Sequence, residues 1–167
     1  MVYQLSEDRL KQYISKIDAP VSAAFQEFLH DYVVGDVWAR SRGEEDLRIW
    51  QELSGQELET AKQIILDGLE EMPDPAYMRA VGVFKDDRAI PILERIIERS
   101  QTADIKLLAA QALYELCGYP EYLPMLEDAC KNCDDKLLHN YLKASIRSFL
   151  AGVPDSEQLR ILLLLAD

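Results

Sequence analysis

Five apolar registers recur at a spacing of 33 residues through the second half of the chain. They are Ala76, Ala109 and Leu142; Ala80, Leu113 and Ile146; Phe84, Cys117 and Leu150; Leu93, Leu126 and Leu159; and Ile97, Cys130 and Leu163. Ile90-Pro91-Ile92-Leu93-Glu94 and Leu123-Pro124-Met125-Leu126-Glu127 are near copies at the same offset. A fixed period of this length marks units that cannot bury their apolar stripes alone and must stack on their neighbours. It constrains the fold more than any composition figure does.

Within the period the spacing of apolar residues is helical, and no stretch shows sustained period-two alternation. Ser6 is placed to cap a helix with Leu10, Tyr13, Ile14 and Ile17 on one face. Pro20 is expected at the first position of a second helix, which carries Val21, Ala24, Phe25, Phe28, Leu29 and Tyr32 and ends near Gly35. Residues 36–46 read as irregular and charged, and a short helix is expected around Leu47, Trp50 and Leu53.

Ser54-Gly55-Gln56-Glu57 has the form of a capping box. It is expected to open a helix with Leu58, Ala61, Ile65, Leu69 and Met72 on its inner face. Asp74-Pro75 restarts the chain for a helix to about Phe84, and Asp86-Asp87 caps the next, from about Arg88 to Arg99. Asp104 is expected to open a helix that stops at Gly118, with Pro120, Asp134-Asp135 and Pro154-Asp155 opening three more. The reading is one domain over 1–167. Residues 1–72 form atypical N-terminal helices, and 73–167 form three helical hairpins.

After the Asp86-Asp87 cap, Arg88-Ala89-Ile90-Pro91-Ile92-Leu93 resembles the start of the second helix of a HEAT repeat. Arg79-Ala80-Val81-Gly82-Val83-Phe84 resembles the end of a HEAT first helix. The resemblance covers roughly residues 74–166 and implies an all-α, right-handed stack of antiparallel helical hairpins. HEAT-like repeats serve many unrelated roles, so the motifs speak to fold and not to function.

The net charge of −12 is spread along the chain: residues 1–85 carry 9 basic and 16 acidic groups, residues 86–167 carry 9 and 14. No basic patch exists to displace counterions from phosphates, so nucleic acid is an unfavourable partner, as is an anionic membrane. A basic protein is a favourable one. No apolar run approaches the length of a membrane helix; the longest, Ile161–Ala166, is six residues. Three cysteines, an odd number, and no signal-like start point to a reduced, cytoplasmic setting.

Signals for chemistry are sparse. Cys130-Lys131-Asn132-Cys133 is a CxxC, but it lacks the βαβ context of a redox pair and the further ligands of a zinc site. His30 and His139 are the only histidines, and no motif supplies either with a nucleophile. HEAT-like iron enzymes use His-Glu dipeptides, which this chain lacks, and HEAT-like DNA glycosylases use a basic face, which it also lacks. The expectation is a non-catalytic protein-binding module without a cofactor. An immunity protein that neutralises a basic toxin is the sharper form of it; a scaffold, an adaptor or a lyase-like chaperone of the HEAT class is the alternative.

Candidate partner residues are Trp38 and Trp50, which flank the polar stretch Ala39–Ile49 and alternatively pack the N-terminal helices over the first repeat. By the resemblance, which places second helices on a concave face, Arg88, Arg95, Arg99, Tyr119, Glu121, Tyr122 and Asp128 join them. The last helix is apolar on nearly all sides, so Ile161, Leu164 and Leu165 are candidates for an end-to-end homodimer. Light scattering of the unmodified protein at high concentration is expected to show a dimer; a monomer there would rule the homodimer out.

Overall fold

A computed structural model of the chain describes residues 5–18, 20–35, 43 and 45–118. Every regular element among them is helical. The chain divides into two compact units, Met1–Ile92 and Leu93–Asp167.

In the first unit, α1 spans Glu7–Ile14 and α2 spans Ala23–Phe28, continuing as a π turn over Leu29–Val34. Ile49–Glu52 forms the short α3, Gly55–Glu71 the long α4, and Pro75–Phe84 forms α5. A 3-10 turn, Asp87–Ala89, leads into α6, Ile90–Arg99. Helix α4 is the organising element: α1, α2 and α5 all pack on it, while α3 lies against α2 and α5. Its 17 residues bury Thr60, Ala61, Ile64, Ile65, Leu66, Gly68 and Leu69. These lie on more than one face, which is what a helix enclosed by neighbours requires. Leu58 and Met72, expected on the inner face, are only half-buried at its two ends.

The second half of the core is aromatic. Phe28 stacks on Tyr32 at 5.4 Å, and Trp50 meets both edge-on at 5.5 and 5.6 Å. Phe84 closes the far side of the indole at 4.7 Å. The polar atoms of this cluster are satisfied within it. Trp50 Nε1 donates to Tyr32 Oη at 3.1 Å, and Tyr77 Oη donates to the Tyr32 carbonyl at 2.9 Å. The π turn sets this register. The wider i→i+5 turn brings Tyr32 and Val33 inward together and leaves Leu29 half-buried and Val34 exposed. Gly35 ends the turn, where a Cβ would sit 2.3 Å from the His30 carbonyl oxygen.

Several helix starts differ from expectation. Ser22, not Pro20, begins α2, and its Oγ accepts from the Phe25 amide at 3.1 Å. Ser54 is the N-cap of α4 but makes no capping bond with its side chain. Its expected partner Glu57 reaches instead to Ser22, accepting from the amide at one oxygen and from Oγ at the other, both at 2.6 Å. A glutamate does satisfy an N-cap amide, as in a capping box, but on a neighbouring helix. Ser6 and Asp74 cap as expected, and Asp86 caps the 3-10 turn.

The described part of the second unit holds the end of α6 and α7, Ala103–Cys117. Thr102 is the N-cap of α7; Asp104 lies in the first turn, where its charge suits the helix dipole. The registers Ala76, Ala80, Ala109 and Leu113 are all fully buried. The periodicity extends to backbone: Lys85 and Gly118, 33 residues apart, both end their helices in the left-handed conformation, at φ 48° and 66°.

Removing either end of the Ser22–Glu57 contact is expected to cost about 1 kcal/mol. Ser22→Ala and Glu57→Ala combined should cost less than their sum, because both delete the bond between Ser22 Oγ and the Glu57 carboxylate, while each also loses a contact of its own. Urea unfolding of the two single variants and the double checks this, and additive costs would contradict it.

Candidate functional site

Helix α1 lies along α4 in the opposite sense. Arg9 pairs with Asp67 and Glu71, and the Tyr13 hydroxyl donates to the Asp67 carboxylate. Beyond the helix end, the Asp18 amide donates to Gln56 Oε1 at 3.0 Å, while Gln56 Nε2 donates to Asp18 Oδ2 at 2.8 Å. Between these ties lies a cleft of about 260 Å³. Tyr13 and Lys16 form one wall; Gln56, Glu59, Thr60 and Gln63 of α4 form the other. Arg88 reaches its edge from the 3-10 turn.

Arg88, about half exposed, is held by three neighbours. Its Nε and Nη2 grip the two oxygens of Asp86 at 2.8 and 2.7 Å, Nη2 also reaches Glu59 at 3.2 Å, and Nη1 reaches Gln63 at 3.3 Å. This bidentate grip holds the Asp86 carboxyl below the usual carboxylate range and pushes Arg88 further up. Lys62 adds a second cation, 3.8 Å from Asp86 and 3.4 Å from Glu59. Gln63 is used at both ends, since its amide also donates to Asp67 at 2.6 Å. Lys16 lies over the Tyr13 ring, 5.2 Å from its centroid.

Burial, and then the hydrogen bond to Asp67, push the Tyr13 hydroxyl well above its ordinary value of 10.0, so it stays a neutral donor at physiological pH. No base among the described residues lies against the hydroxyl of Thr60, which is 6% exposed. Among the described residues no group of three His, Cys, Asp or Glu is placed to hold a metal ion. No helix among them is long and apolar enough to cross a membrane.

The partner residues read from sequence are spread over different environments. Trp50 is 5% exposed and sits inside the aromatic cluster, the packing alternative for it. Arg88 lies at the cleft within the network above, and Arg95 and Arg99 are exposed on α6. His30 is exposed, with Nδ1 2.9 Å from Asp31. Trp38, Tyr119, Glu121, Tyr122 and Asp128, the Cys130–Cys133 motif, His139, and Ile161, Leu164 and Leu165 lie outside the described residues. Sequence reasoning missed Lys16, Thr60 and Gln63 as a group. They belong to two helices whose pairing is tertiary, and none carries a motif.

Compared with known proteins, the chain matches no family model, no curated protein and no solved structure.

The tyrosines give a pH test. Burial, first among the causes, raises both Tyr13 and Tyr32 above the unfolded value of 10.0. The folded state therefore holds these protons more tightly than the unfolded state does. The stabilisation is fully present below pH 10 and is lost as pH rises from there towards the folded values. Urea midpoints should be level to about pH 9 and fall above about pH 10. Tyr13→Phe should make that alkaline fall shallower; an unchanged fall would contradict it.

Proposed function

We propose that the protein is a non-catalytic protein-binding module built as a right-handed HEAT-like stack of antiparallel helical hairpins. The observation that carries the binding reading is how the charge is distributed. The chain has a net charge of −12. Among the described residues Arg9, Arg48, Lys62, Arg79 and Arg88 are each held by the chain's own carboxylates. Glu7, Asp8, Glu27 and Glu52 are exposed. With acidic residues in excess, carboxylates are left over once these pairs are made, and an acidic chain of this kind steers a basic partner into encounter.

The partner is then a basic protein, and neutralisation of a basic toxin by an immunity protein is the form of binding that this charge suits best. Scaffolding, adaptor or lyase-like chaperone roles in the same repeat class are the alternative. A cytoplasmic location goes with the reading, as does self-association through Ile161, Leu164 and Leu165. The fold part rests on the 33-residue registers, whose first two copies at Ala76, Ala80, Ala109 and Leu113 are buried.

Affinity capture from native lysate with the tagged protein, read by mass spectrometry at low and high salt, tests the proposal. The expected result is one basic partner that is lost at high salt. Several partners insensitive to salt would favour the scaffold reading, and recovery of the protein alone would contradict the toxin-neutralising one.

A further inference from the structure

We propose that the cleft between α1 and α4 binds a small free carboxylate compound of amino-acid size, held by Lys16 and the Thr60 hydroxyl. This stands apart from the protein-binding reading and uses a different surface property. The cleft's polar side chains divide into those already engaged and those not. Tyr13, Gln56, Glu59, Gln63 and Arg88 all bond within the fold. Among the described residues the Thr60 hydroxyl has no hydrogen-bond partner, although the residue is 6% exposed. A buried hydroxyl left unpaired is costly, and a ligand that pairs it recovers that cost.

Lys16, an exposed side chain at the rim of the cleft, supplies the second group. Among the described residues its ammonium pairs with no carboxylate; it rests on the Tyr13 ring, which positions the charge without neutralising it. Both groups donate hydrogen bonds, so their complement is an acceptor that carries negative charge. Glu59 on the facing wall disfavours a multiply charged phosphate and favours a monoanion, above all one that also carries an ammonium group. The cleft is open to solvent, and its volume of about 260 Å³ matches a ligand of roughly amino-acid size, below the ~300–1,000 Å³ of sites for larger ligands.

The test is an amide-resolved NMR titration of the full-length protein with acetate, L-alanine and L-alaninamide, each with chloride matched. Acetate and L-alanine are expected to give saturable shifts at Lys16, Thr60 and Gln63, and L-alaninamide, which lacks the carboxylate, none. Thr60→Val should weaken L-alanine binding about tenfold while leaving the urea midpoint of the free protein unchanged or higher. Lys16→Gln should weaken it similarly, and Lys16→Arg should retain it. No saturable shift, equal response to L-alaninamide, or a lowered midpoint for Thr60→Val would each overturn the proposal. A lowered midpoint would mean that the hydroxyl already has a partner in the fold. None of these outcomes depends on whether a protein partner is captured.

Discussion

The burial of one helix on several sides is the constraint from which the first unit follows. Helix α4 encloses Ile64, Ile65 and Leu69 almost completely, and α1, α2 and α5 supply the surfaces that do it. At ~1.5–3 kcal/mol for each large apolar side chain removed from water, these contacts outweigh any single cap or ion pair in the unit. The polar features depend on them. The cleft exists because α1 lies along α4, and the Ser22–Glu57 bond forms because α2 starts beside the first turn of α4. Polar contacts then fix register and direction along an apolar frame.

The second constraint is electrostatic economy. Arg79 grips Glu45 through Nε and Nη2, at 2.5 and 3.1 Å, and the Glu45 side chain is 1% exposed. A carboxylate that buried is tolerated only beside a cation, and losing Arg79 would strand it. The pair ties the segment ahead of α3 to α5, and a Cβ added at Gly43 would lie 3.6 Å from Cζ of the same guanidinium. Each such pairing neutralises one cation and one carboxylate, so the acidic excess of the sequence, a net charge of −12, stays unpaired. That excess, and not the pairing, is what bears on the class of partner proposed for the chain.

How much of this was legible in the sequence depends on whether the physics was local. The caps at Ser6, Asp74 and Asp86, the end of α5 near Phe84 and the stop at Gly118 were legible, because short-range chemistry decides them. The apolar registers at Ala76 and Ala80 were legible for the same reason. Ser54 was misread because its box partner Glu57 had a better-placed acceptor role across the helix interface. Pro20 was misread because Ser22 offered an N-cap two residues later. The π turn was not legible, since an extra residue in one turn leaves helical spacing nearly intact. The cleft was the least legible feature of all: Lys16 and Thr60 come together only once α1 is docked.

Native-state hydrogen exchange is the most direct test of α4 as the organising element. The amides of Ile64, Ile65 and Leu69 are expected to exchange only through global unfolding, while those of α1 open at lower free energy. Exchange of the α4 amides as fast as those of α1 would contradict it.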